Sequence, residues 1–103
     1  EPLIKEIYYE PGQYQVSKKE DKERLVKLGK FLAANPEIFI SVVGLADGTG
    51  STKENTILSE NRARLVYKIL ISNGASKEKV DYVGLGSISK EKNKEERKVK
   101  FVL

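Results

Sequence analysis

The run EIFISVVG, residues 37–44, constrains the fold more than any other stretch of this chain. It is short, β-branched and almost wholly apolar, the pattern of a central strand buried on both faces or nearly so. Such a strand needs paired neighbours and a cover. Upstream, Leu25, Leu28 and Leu32 recur at helical spacing, with Val26 and Phe31 widening the stripe. Ser17 precedes Glu20 by three residues, the capping-box spacing of a helix start. That helix ends near Asn35, because Pro36 disfavours helical geometry in the residue before it. Downstream, Ser51 and Glu54 repeat the capping-box spacing and predict a second helix from about Thr52. Leu58, Ala63, Leu65, Val66, Ile69 and Leu70 supply its apolar side, and Gly74 suits a left-handed C-terminal cap.

Three more segments read as strands by alternation and β-branched or aromatic content: LIKEIYYE (3–10), KVDYVGLG (79–86) and RKVKFVL (97–103). In the last, Val99, Phe101 and Leu103 fall on one face. The charged stretch SISKEKNKEE before it reads as a surface loop. The order β-α-β-α-β-β predicts an α/β (α+β) two-layer sandwich, a mixed four-stranded sheet with two helices on one face. Strand-helix-strand units imply parallel, right-handed crossovers. The last two strands are close enough in sequence to pair antiparallel. At 103 residues the chain is one domain, 1–103, and starting at Glu1 it reads as a fragment or processed form of something longer.

Composition narrows the chemistry. There is no cysteine, so disulfides, thiolate zinc sites and cysteine nucleophiles are excluded. There is no histidine, which removes the commonest general base and metal ligand, and Ser-His-Asp hydrolysis with it. Carboxylate chemistry and oxygen-ligated hard cations remain open. No apolar run approaches the ~18 residues of a membrane span. The net charge of +4 invites a nucleic-acid reading, but lysines alternate with glutamates in SKKEDKERLVK and SKEKNKEERKVK, the pattern of a solvated face.

The chemistry concentrates in GLADGTGSTKENTILSENRARLV, residues 44–66. Asp47 lies just past a strand end, where open α/β sheets place binding groups. Gly48 and Gly50 let backbone pass close to a ligand. The helix start after Ser51 offers unpaired N–H groups and a positive dipole end. Arg62, well inside that helix, carries the planar fork that grips carboxylates. Acid, helix start and arginine together suit a zwitterion, its ammonium on Asp47 and its carboxylate on Arg62 and backbone donors. The plainer alternative is a turn followed by a solvated helix arginine.

The same stretch resembles the signature of the OmpA-like peptidoglycan-binding domain family. Gly44, Asp47, Gly50, Asn55, Leu58, Ser59, Arg62 and Ala63 stand at matching positions without a gap. The similarity runs across nearly the whole chain, through IYYEPGQYQV, LVKLGKFLAANPEIFISVVG, ISNGASKEKVDYVGLG and ERKVKFVL. The resemblance implies noncovalent binding of the peptidoglycan stem peptide through its diamino acid, typically diaminopimelate, with no cofactor and no catalysis. It implies a tether of an outer-membrane or other envelope protein to the wall, in the periplasm of a Gram-negative bacterium. It implies a ligand site of Asp47 and Arg62, with Ala46, Gly48, Thr49, Gly50, Asn55, Leu58 and Arg97 around them. Asn55 either meets the ligand or braces the Asp47 loop. The chain departs from the family at Leu45, where an aromatic or His is frequent, at Ala46, where Thr is frequent, and at Glu96-Arg97-Lys98, where Asn-Arg-Arg is usual.

Two other functions fit the same order of elements. A domain that kept the fold and lost the pocket would act as a protein-interaction module. An RNA-binding domain, as at the C-terminus of a bacterial translation initiation factor, shares the order but wants basic residues clustered with exposed aromatics. Ser59 is expected to be a helix-face hydrogen bonder, since nothing is there to activate it as a nucleophile. Tyr8, Tyr9 and Tyr14 are expected to pack rather than to stack on a sugar or base.

Overall fold

The computed structural model describes residues 4–48, 50–87 and 94–103. Its elements are β1 (Glu6–Tyr8), α1 (Lys19–Ala34), β2 (Ile40–Gly44), α2 (Thr52–Ser72), β3 (Val80–Gly84), a 3-10 turn at Lys94–Glu96 and β4 (Lys98–Val102). The four strands form one sheet in the order β1-β4-β2-β3. β2 and β3 are parallel, joined by α2 as the crossover, while β4 runs antiparallel to both β1 and β2. This is the expected mixed four-stranded sheet with two helices.

One pairing differs from expectation. β4 does not form a hairpin with β3; it inserts between β1 and β2. The apolar demand of β2 explains this. With β4 on one edge and β3 on the other, β2 is interior and Ile40, Val42, Val43 and Gly44 are all buried. Insertion also sets Val99 opposite both Ile7 and Gly44, and Phe101 opposite Val42, on the face the helices cover. Leu103 does not join that row: it lies past the end of β4 and is 77% exposed. β2 begins later than the run 37–44 because the Ile38 N–H closes a turn on the Asn35 carbonyl (3.1 Å). Most of the loop 87–96 lies outside the described residues.

The two capping-box sequences behave differently. Ser51 caps α2 in full: its hydroxyl accepts from the Glu54 N–H (3.1 Å), and the Glu54 carboxylate accepts from the Ser51 N–H (2.9 Å). Ser17 caps nothing. α1 starts at Lys19 with Lys18 in the capping position and no side-chain cap, so Ser17 and Glu20 are one residue out of register for a box. Both helices end on an asparagine that folds back: Asn35 Nδ2 donates to the Phe31 carbonyl and Asn73 Nδ2 to the Ile69 carbonyl, each at 2.8 Å. At Gly74 the backbone turns left-handed (φ +106°), letting Ala75 N–H reach the Leu70 carbonyl (3.1 Å).

The core lies between sheet and helices. Leu25, Leu28 and Leu32 of α1, and Ala63, Val66 and Leu70 of α2, pack on Ile7, Ile40, Val42, Val80 and Val99. Glycine sets how closely the layers approach. A Cβ on Gly44 would overlap the Ser59 carbonyl, and one on Gly84 the Glu60 backbone nitrogen, so α2 rests directly on β2 and β3. Ser59 fastens that contact: its hydroxyl donates to the Thr56 carbonyl (2.9 Å) and accepts from Gly86 N–H (2.8 Å). This is the helix-face role expected for it.

Ser51→Ala should therefore cost about 1 kcal/mol of stability, the usual loss for a helix N-cap. Ser17→Ala should be close to neutral. Urea unfolding of the two variants checks this, and equal losses would contradict the capping geometry.

Candidate functional site

The site is built at the end of the sheet where β2 gives way to its loop. Leu45 N–H donates to the Lys98 carbonyl and Ala46 N–H to the Gly86 carbonyl, both at 2.9 Å. The first loop residues are thus clamped between the flanking strands. Leu45, Ala46 and Asp47 are all buried, Asp47 at only 6% exposure. A carboxylate this desolvated needs opposite charge or donors close by. Arg97, just before β4, supplies charge: its Nη1 stands 3.5 Å from Asp47 Oδ2. That separation makes an ion pair rather than a strong hydrogen bond. Arg97 is anchored by Nε, which donates to the Tyr9 carbonyl (3.1 Å), and its side chain keeps 13% exposure.

Arg62 is placed otherwise than a surface clamp. It is fully buried, the largest such side chain in the protein's described residues. Nε donates to the Gln13 carbonyl (2.7 Å), Nη1 to the Leu45 carbonyl (2.8 Å) and Nη2 to the Glu10 carbonyl (3.3 Å). The guanidinium also lies over the Tyr9 ring, 4.8 Å from its centre. Burial pulls its pKa down to about 10, opposed by Tyr9 and Asp47, with nearby Arg97 pushing in the same direction as burial. It stays charged at neutral pH, and it sits close enough to Asp47 and Arg97 for all three to feel one another.

The other expected residues follow β2 in sequence, with Asn55 and Leu58 on α2. Ala46 has no exposed surface and Gly48 is partly buried. Gly50 turns left-handed (φ +87°), with Asn55 Oδ1 3.5 Å from where its Cβ would be. Asn55 is 7% exposed and its side chain makes no hydrogen bond to the described residues. Leu58 is partly exposed on α2. Thr49 lies outside the described residues. Lys98, the lysine of the altered closing motif, is turned to the helix-free face, where Nζ pairs with Glu6 (2.8 Å). That lysine and the hydroxyl of Tyr8 both hold the Glu6 carboxyl below its usual range.

A cleft of about 330 Å³ opens beside Arg97, lined by Tyr8, Tyr9, Glu10, Lys18 and Glu95 as well. A smaller cavity of about 180 Å³ lies at the opposite end of the sheet, around Phe39, Lys79, Val102 and Leu103. Among the described residues no group of three or more acidic side chains gathers as a metal site, and no helix is long and apolar enough to cross a membrane. Three residues at the site were not legible beforehand. Glu10 and Gln13 act through backbone carbonyls, which carry no side-chain signal. Tyr9 packs as expected of it, at 6% exposure, but its place under Arg62 joins elements far apart in sequence. Burial raises the pKa of the Tyr9 hydroxyl, which has no hydrogen-bond partner among the described residues.

Comparison with known proteins gives the arrangement a context. A model of the OmpA family matches residues 8–101. The peptidoglycan-binding protein ArfA of Mycobacterium tuberculosis is 35% identical over 69 residues, covering 67% of this chain and 21% of that protein. The chain therefore spans about a fifth of the length of the curated relatives it matches. Among solved structures, the peptidoglycan-associated lipoprotein from Burkholderia pseudomallei has a TM-score of 0.86 at 22% identity, covering 98% of this chain and 92% of that one. The C-terminal domain of Helicobacter pylori MotB has a TM-score of 0.78 at 22% identity, covering 97% and 84%. At those identities the two structures speak for the fold.

Replacing Arg62 by Met would strand the buried Leu45 carbonyl and untie the Gln13 and Glu10 carbonyls, which belong to exposed residues. An unsatisfied buried group costs about 1–3 kcal/mol, so Arg62→Met should lose at least that much stability. Chemical denaturation measures it. A loss within that of a surface substitution, under about 0.5 kcal/mol, would show that the arginine holds nothing together.

Proposed function

The chain belongs to the OmpA family, and from that premise we propose that it binds cell-wall peptidoglycan noncovalently, through the diamino acid of the stem peptide. One observation carries the reading. A buried acid, Asp47, stands beside one arginine it touches and a second whose charge it feels. That pairing complements a group carrying an ammonium next to a carboxylate, which is the end of a diaminopimelate side chain. The ammonium goes to Asp47 and the carboxylate to the arginine side, Arg62 and Arg97. The reading also assigns Ala46, Gly48, Gly50, Asn55 and Leu58 to the ligand, with Thr49, which lies outside the described residues, and small residues would leave room for backbone contact. The relative named as peptidoglycan-binding supports the choice of ligand.

Binding of this kind tethers rather than transforms. The chain lacks histidine and cysteine, and the reading assigns no bond-making step and no cofactor. Its place is the cell envelope, where wall and tether meet. The resemblance points to the periplasm and an outer-membrane attachment; the mycobacterial relative widens that to envelopes of other kinds.

Co-sedimentation with insoluble peptidoglycan tests the reading. Asp47→Ala, which leaves the ligand ammonium unpaired, should weaken binding by roughly 2–5 kcal/mol. Circular dichroism confirms that the variant is folded. If folded Asp47→Ala sediments with the wall as the parent does, the site is elsewhere.

A further inference from the structure

We propose that Tyr8 is a positioning residue for wall binding: with Glu6, Lys98 and Glu95 it forms a brace on the helix-free face that holds Arg97 in its place beside Asp47. The inference rests on the peptidoglycan reading and adds to it a residue that is neither the acid nor one of the arginines.

Arg97 stands at a corner. The 3-10 turn Lys94–Glu96 ends just before it, and β4 begins just after it at Lys98. Tyr9 N–H donates to the Arg97 carbonyl (2.8 Å), and Arg97 Nε donates to the Tyr9 carbonyl (3.1 Å). Both of these ties run to one residue. The brace adds ties to the chain on either side. Tyr8 and Lys98 face each other across the β1–β4 pair. Lys98 Nζ meets the Glu6 carboxylate at 2.8 Å. The Tyr8 hydroxyl donates to the same carboxylate (2.8 Å) and, more weakly, to that of Glu95 (3.2 Å). Lys98 follows Arg97 directly and Glu95 precedes it by two residues. The network thus grips the chain before and after the arginine, and Tyr8 is the member that joins β1 to the turn. Tyr8, Glu95 and Arg97 line the same 330 Å³ cleft, so brace and guanidinium border one opening.

Exposure separates this role from a merely structural one. Tyr8 is 41% exposed, and Glu6 beside it is partly exposed. Polar contacts in such places add little to folding. The grip of a guanidinium on its partners is different, because a planar fork works only when it points the right way. Arg97 meets Asp47 at 3.5 Å, too long for that contact to fix the plane by itself. Support from behind then decides where its N–H groups point. The hydrogen bond to Glu6 is the main cause that pushes the Tyr8 pKa up to about 12, so the hydroxyl keeps its proton through the neutral range.

Tyr8→Phe keeps the ring and removes the link. Binding isotherms with insoluble peptidoglycan should show affinity lowered roughly three- to tenfold, the worth of one hydrogen bond, with the urea midpoint unchanged. In an Arg97→Gln background the same change should lower affinity no further, because the residue it positions is gone. The Arg97 Nε–H resonance, assigned by its loss in Arg97→Gln, should move in ligand-free Tyr8→Phe. If folded Tyr8→Phe binds as the parent does, leaves that resonance in place, or weakens binding equally with and without Arg97, the brace does not act through Arg97 and the inference fails. If Arg97→Gln binds like the parent while Asp47→Ala does not, the inference fails and the peptidoglycan reading stands. If neither Arg97→Gln nor Asp47→Ala weakens binding, both fail.

Discussion

The end of the sheet where β2 gives way to its loop depends on one buried cation. Arg62 projects from the third turn of α2 into a space with no exposed surface and is held there by carbonyls from two separate loops. An isolated charge in such a place would be prohibitive. It is tolerated because a guanidinium spreads its charge over a planar fork whose donors can meet acceptors in several directions at once. Glu10 and Gln13 lie between β1 and α1, and Leu45 lies after β2, so one side chain ties together segments more than thirty residues apart in sequence. A lysine has the charge but only a point of it. It could not hold both loops in the same geometry.

The depth of that arginine is fixed by the helix that carries it. α2 rests on β2 and β3 without side chains between them at Gly44 and Gly84, and Ser59 bridges to Gly86. Since Arg62 is three residues after Ser59, the helix-sheet contact and the arginine's burial share one turn. The same contact holds the strand end from which Leu45, Ala46 and Asp47 emerge. Much of the motif around Asp47 is therefore architecture. Gly44, Ser59 and Ala63 allow close approach, and Arg62 holds loops, so that one carboxylate arrives buried beside Arg97.

The sequence made the element types plain because period and punctuation agreed: β-branched runs for strands, leucine stripes for α1, a capping box at Ser51 and an αL glycine at position 74. It misled where local pattern is not specific. Ser17 and Glu20 carry the same spacing as Ser51 and Glu54, yet only the latter pair coincides with a helix start. Strand order was less legible still, since proximity in sequence favours a β3–β4 hairpin, whereas burial of β2 is completed by β4. At the site, Asp47 and Arg62 stood out by residue type. What a side chain touches did not, because the partners of Arg62 are carbonyls, and every residue has one.

The distribution of charge also separates a wall-binding reading from a polyanion-binding one. The chain is basic overall, with +4, but at the site two arginines share one acid, and one of those arginines is sealed inside. On the helix-free face of the sheet, Lys98 is paired with Glu6. A surface made for a phosphate backbone would instead leave its cations unpaired and in water, ready to release counterions when the polymer arrives. Here Arg97, the guanidinium at the cleft, is already matched by Asp47. On the proposed reading the ligand offers both signs at once, as a stem-peptide diamino acid does.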